Sequence, residues 1–277
     1  MMMVCSNSKT KLLVIATNEL RESKLHGRSL VVKVGDQYIQ ESDNEKLLGV
    51  RMSHCMSWNA FLYGNGVAGK SGGLLSQLSQ RIGMLKNISK YMNPVQLNSV
   101  INGLFTSKLL YCLPLYCNVW GTQSMDDTAR RFSAFTKEDM RRLQVLQNRV
   151  LRLKSQNHDM NTPTAELVQS SGDLSVNQLG AFYTVLQVFK IINSGLPKYL
   201  SEKLIIRRPN MSHIFPQRQL NTIQVKNNLS LSRSGFLYRG AQLWNSLPLE
   251  LRALTDLGAF KHELRSWVSS TVPVKPR

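Results

Sequence analysis

Glu138–Lys154 reads Glu-Asp-Met-Arg-Arg-Leu-Gln-Val-Leu-Gln-Asn-Arg-Val-Leu-Arg-Leu-Lys, and it predicts a helix with two unlike faces. At roughly 100° per residue, Arg141, Arg142, Arg149 and Arg152 fall in one wedge about 100° wide. Met140, Leu143, Leu146, Val150, Leu151 and Leu153 lie opposite, and only Val145 breaks the segregation. Asp139 suits an N-cap and Glu138 the N-terminal dipole, while Arg152 and Lys154 suit the C-terminal carbonyls. Two readings are open. One is an arginine row laid along a nucleic-acid backbone, with the apolar face packed in a helical bundle. The other is a solvated basic face on an ordinary core helix.

The charge of the rest of the chain favours the first. The 277 residues carry 35 Lys and Arg against 17 Asp and Glu, a net charge of +18, with a pI near 10.0. Such a chain is drawn to polyanions whatever its fold; nucleic acid is the first candidate and an anionic membrane surface the second. The positive field is uneven. Residues 1–50 hold 7 basic and 6 acidic side chains, and residues 161–277 hold 14 and 6. From Leu47 to Met125 there is neither Asp nor Glu. The apolar fraction of 42% fits a globular protein with a sizeable core. Cys5, Cys55, Cys112 and Cys117 form no CxxC pair and sit at no zinc-like spacing from a histidine. Free thiols in a reducing, intracellular setting, nuclear or cytoplasmic, are the expectation. The most apolar run, Leu109–Trp120, is too short to span a bilayer and contains Pro114; it reads as a buried helix or extended segment.

The fold class expected is mainly α with a small N-terminal antiparallel β portion. Residues 10–52 read as short strands at Lys11–Ile15, Leu30–Val34, Tyr38-Ile39 and Lys46–Val50. From Leu74 the period becomes helical, first over Leu74–Tyr91 and then from Pro94 through Leu97, Val100, Ile101, Leu104 and Phe105. The arginine helix follows. Asn161-Thr162-Pro163 opens a short helix through Val168, and Ser175–Asn193 is strongly apolar and stops at Gly195. Residues 206–232 read as a long loop or a strand pair, Ser234–Trp244 and Thr255–Val268 as closing helices, and Thr271–Arg277 as a disordered tail.

Gly64-Asn65-Gly66-Val67-Ala68-Gly69-Lys70-Ser71 satisfies the phosphate-loop spacing. Nucleotide binding through Gly64, Gly69, Lys70 and Ser71 would need a buried strand before the loop, a helix after it and a magnesium-binding aspartate on a second strand. Ser57–Tyr63 is not a clean strand and Gly72-Gly73 is a poor helix start, so a flexible glycine loop is the better reading. Asp126-Asp127 sits in a polar loop ahead of a helix, which fits capping better than a two-metal site. His26, His54, His158, His213 and His262 have no partner at triad or metal spacing. The residues themselves therefore offer no catalytic group, no metal site and no cofactor.

The order of short motifs resembles the back end of a reverse transcriptase from non-LTR (LINE-type) retrotransposons. Lys9–Ile15 resembles the lysine-threonine segment that follows that family's catalytic aspartates. Lys46-Leu47-Leu48-Gly49-Val50 with Met56-Ser57-Trp58 resembles the edge of its palm near the primer grip. Arg81–Leu85, Tyr111 with Trp120-Gly121, and Leu143–Arg149 with Arg152 resemble its thumb-like helices. Pro163 with Glu166-Leu167, Leu196–Leu200, and Arg239–Pro248 with Phe260-Lys261 continue the likeness through a C-terminal "WNSLP … FK" signature. The departures are the absent aspartate-pair hairpin, fingers and most of the palm, an apparent insertion at Gly64–Gly73, and no zinc knuckle after the signature.

The resemblance implies three segments: a β-rich palm remnant over 1–58, a basic helical thumb-like region over 59–160 and a basic helical C-terminal region over 161–277. It implies RNA-directed DNA synthesis for the parent enzyme, which would use magnesium and carry a polymerase and endonuclease portion ahead of this chain. Without the aspartates, the expectation for this chain is retention of nucleic acid (RNA, DNA or an RNA–DNA duplex) and no polymerisation by itself. The phosphate contacts would come from Arg141, Arg142, Arg149 and Arg152, with Lys86, Lys90, Arg207, Arg208 and Arg218 extending the track and Lys46 and Gly49 near the primer strand. A phosphate-loop protein and a poorly folding transposon relic are the alternatives.

Overall fold

β-branched Val31, Val32 and Val34 in one strand and Tyr38 and Ile39 in the next favour extended backbone, and Val31–Val34 (β1) pairs antiparallel with Gln37–Gln40 (β2) in a hairpin around Gly35. The computed structural model describes residues 10–16, 18–26, 28–35, 37–64, 72–119, 135–157, 159–206, 221–224 and 235–274. The chain divides into two units, Met1–Leu74 and Leu75–Arg277, and the class is mainly helical with a few two-stranded antiparallel pairs.

In the first unit, α1 (Asn18–Leu25) precedes β1, and a second hairpin joins β3 (Asn44–Leu47) to β4 (Val50–Ser53). α2 (Asn59–Leu62) packs on β4. The wiring centres on Glu41. Its carboxylate accepts from the Arg21 guanidinium on α1 at 2.5 Å and from the Leu30 N–H at 3.0 Å. The hydrogen bond from Arg21, then that from Leu30, hold this carboxyl below its usual range. Two expectations change here. Lys11–Ile15 is no strand; it holds one isolated bridge, Leu12 to Glu41. Lys46–Val50 is not one strand but the bend of a hairpin, with Leu48 and Gly49 both at positive φ (48° and 85°). That geometry is a two-residue turn whose hand matches the twist of the flanking strands, and Gly is the residue that tolerates it.

In the second unit, α3 (Leu74–Ile88) ends in a tight turn over Ser89–Tyr91, and α4 (Pro94–Ile101) starts at once. Asn93 caps α4: its Oδ1 accepts from the Gln96 N–H at 2.9 Å and the Gln96 side chain accepts in return from the Asn93 N–H at 3.3 Å. The helix widens through a π turn over Asn102–Thr106 into α5 (Ser107–Leu110), and α6 (Leu113–Tyr116) follows. α7 (Lys137–Ser155), α8 (Thr164–Ser171) and α9 (Val176–Ser194) form the centre. α9 is buried on nearly all sides, at Ala181, Val185, Val188, Phe189 and Ile191, and packs against α6, α7, α10 (Lys198–Ser201), α11 (Phe236–Asn245) and α13 (Leu257–Thr271). Gly195, at φ 66°, ends it in the left-handed conformation.

Where a long loop or a strand pair was expected over 206–232, the described residues show β5 (Ile205-Ile206) paired with β6 (Ile223-Gln224). α12 (Leu249–Ala253) links α11 to α13. Residues 271–274, expected to be disordered, are tied down. Val272 is buried, the Gln178 and Asn177 amides donate to the carbonyls of Val272 (3.0 Å) and Pro273 (2.8 Å), and Val274 packs on Leu151, Leu167 and Val168. Residues 75–160 and 161–277 share this one unit.

Candidate nucleic-acid interface

α7 takes its position from buried amides as much as from its leucines. Met140, Leu143, Leu146, Val150 and Leu151 are buried, and so are Gln144 and Gln147. The Gln144 amide donates to Gln147 Oε1 (2.8 Å) and Asn148 Oδ1 (2.9 Å), and its carbonyl accepts from the Val176 N–H at 2.8 Å. Gln147 donates to the Leu174 carbonyl (2.8 Å) and Asn148 to Thr164 Oγ1 (2.9 Å). One row of amides thus fixes α7 against the starts of α8 and α9. Sequence reading passed over it, because glutamine at a helix surface carries no burial signal; the Gln144–Gln147 spacing was the clue available.

With that face fixed, the arginine row faces outward. Arg141, Arg142 and Arg149 are exposed, Val145 in their midst is 40% exposed, and Arg152 is half-buried. The row then divides. At the N-terminal end, Arg141 donates twice to Glu138, at 2.7 and 2.8 Å, and Arg142 once, at 3.1 Å. Hydrogen bonds from Arg141 first and Arg142 second pull the Glu138 carboxyl down to about 2. The N-cap is Thr136 rather than Asp139. Thr136 Oγ1 accepts from the Asp139 N–H at 3.2 Å, and the Asp139 carboxylate accepts from the Thr136 N–H at 2.9 Å.

At the C-terminal end, Arg149 and Arg152 line a groove with Lys86 from α3 and Lys90 from its closing turn. The groove has a volume of about 590 Å³; Leu97, Leu153 and Met160 make up its apolar lining, Ser89, Gln156 and Asn157 add polar groups, and among the described residues no carboxylate lines it. Arg152 serves as a wall. Its Nε donates to the Asp159 carbonyl (3.1 Å) and its Nη2 to those of Met160 (3.0 Å) and Thr162 (3.3 Å). Asp159 does not neutralise the groove through a direct pair. Its carboxylate accepts from the Asn161 N–H and the Thr162 hydroxyl, and those bonds, in that order, hold its pKa low, with the nearby Arg152 charge a smaller cause. Among the described residues, the side chains of Lys86, Lys90 and Arg149 make no hydrogen bond or ion pair, and they share a groove with no carboxylate in its lining.

The other anticipated residues stand apart. Lys46 pairs across the strands with Arg51 and Gly49 forms the turn, both in the first unit. Gly64 and Gly72 form an isolated antiparallel bridge, and the helical α2 rather than a strand precedes Gly64. Gly69, Lys70, Ser71, Asp126, Asp127, Arg207, Arg208 and Arg218 lie outside the described residues.

Of the "WNSLP … FK" residues, Trp244, Leu247 and Phe260 are core, whereas Asn245, Ser246, Pro248 and Lys261 are exposed. Trp244 and Phe260 stack with centroids 6.0 Å apart, and Phe189 stacks on Phe260 at 3.9 Å. Arg239 is buried and donates to the Leu115 carbonyl at 2.8 Å; desolvation lowers its pKa to about 10. Gly240 lets α11 approach Val188 of α9, and Gly180 lets α9 approach Cys117, whose Sγ lies 2.1 Å from where a β-carbon would stand. No helix among the described residues is long and apolar enough to cross a membrane. Comparisons with protein-family models, with curated proteins and with solved structures found no match to this chain.

Proposed function

We propose that this protein holds nucleic acid through its phosphate backbone, at the groove between α3 and the C-terminal half of α7, as a thumb-like part of a LINE-type reverse transcriptase would. The observation that carries the reading is the convergence of Lys86, Lys90 and Arg149 on one groove that, among the described residues, no carboxylate lines. Three cations brought together without counter-charges repel one another, and a polyanion relieves that repulsion while releasing its own condensed ions. Arg141 and Arg142 form a second tier on the same helix. Their pairs with Glu138 are exposed, hence weakly held and exchangeable for phosphate. Sequence preference is not part of the proposal, because phosphate contacts position a strand without reading bases. Polymerisation is not part of the proposal either.

The test is binding of a labelled oligonucleotide to the full chain across a salt series. The expected result is an affinity falling steeply and linearly on logarithmic axes, with a slope that shrinks by about 0.7–0.9 for each phosphate-contacting cation removed in Lys86→Ala, Lys90→Ala and Arg149→Ala. A flat salt dependence, or unchanged slopes in all three variants, overturns it.

A further inference from the structure

We infer that the groove takes nucleic acid as a single strand, with phosphates on the cationic rim and at least one base laid on the apolar lining. The inference rests on the proposed phosphate-binding role of this groove and adds the form of the ligand. Three features carry it. The first is size. About 590 Å³ lies within the range of about 300–1,000 Å³ that encloses a nucleotide-sized ligand, whereas a duplex is far too wide to enter and can only lie across the rim.

The second is the lining. Leu97, Leu153 and Met160 face the groove, and Met160 remains 72% exposed although it is a large apolar side chain. A duplex hides the faces of its bases and would leave this surface wet. An unpaired base has an apolar face to set against it, and the polarisable thioether of methionine makes favourable contacts with aromatic rings. The third is the end of the groove. The Gln156 side chain is exposed and makes no hydrogen bond among the described residues, so its amide can donate to and accept from a base edge that pairing would otherwise occupy. Cations along a channel with base-facing surfaces between them are the general plan of single-strand binding.

The experiment compares a short unpaired oligonucleotide with a blunt duplex of equal phosphate count, using the full chain at one salt concentration, for the unaltered protein, Met160→Ser and Arg149→Ala. The single strand is expected to bind several-fold more tightly. Met160→Ser, at an exposed position, is expected to weaken single-strand binding several-fold with its salt slope unchanged, and to leave the duplex unaffected. Equal or tighter binding of the duplex overturns the inference, and so does an equal effect of Met160→Ser on both forms. Arg149→Ala separates the two layers: if it weakens both forms while the duplex still binds at least as well, the phosphate-binding role stands and the single-strand assignment falls. If it weakens neither, the groove itself is the wrong site and both fall.

Discussion

Asn245 engages Ile223 as a neighbouring β-strand would. Its Oδ1 accepts from the Ile223 N–H at 2.7 Å, and its Nδ2 donates to the Ile223 carbonyl at 3.0 Å. One side chain at the end of α11 thereby satisfies both main-chain groups of a strand residue 22 positions earlier. Asn245→Ala leaves that donor and acceptor unmet and should cost about 1–3 kcal/mol, read from chemical denaturation. Asn245→Asp keeps the acceptor but sets a carboxylate oxygen against the Ile223 carbonyl in place of the donor, so it should lose at least as much. An unchanged midpoint for Asn245→Ala would remove the assigned role.

Glu138 restrains the first two arginines of α7. Glu138→Gln removes the charge that Arg141 and Arg142 share, so nucleic-acid affinity should rise several-fold and the salt slope should steepen as both become available to phosphate. The pH dependence has a definite sign. A carboxyl held at about 2 in the folded chain, against an ordinary 4.5, contributes in full above the unfolded value. That contribution declines below the unfolded value and is gone once pH has fallen through about 2. Between neutrality and mild acid the advantage of Glu138→Gln should therefore stay constant, as a binding series over that range would show.

Arg149 and Arg152 should separate by experiment despite standing one helical turn apart. Arg149→Ala should reduce the salt slope by about 0.7–0.9 and leave the melting temperature close to the parent's. Arg152 donates to three carbonyls of the Asp159–Thr162 turn, so Arg152→Ala should lower stability by about 1–3 kcal/mol. Thermal melts paired with salt titrations report both.

Gly180 and Cys117 form a close crossing that a methyl group would block. Gly180→Ala should destabilise the protein by about 1–3 kcal/mol through overpacking, even though alanine favours a helix interior. Cys117→Ala/Gly180→Ala should recover part of that loss, because the clashing sulfur is gone. Additive losses in the double variant would show that the crossing is not the cause.

Burial pushes the Cys117 thiol up to about 12 from an ordinary 9. The folded chain therefore keeps this proton where the unfolded chain releases it. The associated stability is whole below about pH 9 and is lost as pH rises through about 12. In the native protein at mildly alkaline pH, mass spectrometry after alkylation should find Cys117 unmodified; modification on the native time scale would contradict its burial.

The legible parts of the sequence were those with local causes. α7 and α9 lie within a residue or two of the predicted spans because each carries a long uninterrupted helical run, two-faced in α7 and apolar almost throughout in α9, and Gly195 stops α9. α1 was missed because Asn18–Leu25 is polar on most faces and is held by Arg21 reaching a glutamate 20 positions away. The convergence of Lys86 and Lys90 on Arg149 depends on the Asn93 corner and on how α4 packs against α7, and no spacing in the sequence encodes it. The outward side of α7 was legible; that Arg152 would turn towards carbonyls beyond its own helix was not.

The row of buried amides on α7 has a consequence for how the interface could change over time. Gln144 and Gln147 set the rotation of the helix about its axis, and so decide which cations look into the groove and which look past it. A swap at either glutamine would re-aim the guanidinium of Arg149 without altering any group that meets solvent. Selection acting on ligand preference therefore has a lever inside the protein, where a search confined to surface charge would overlook it.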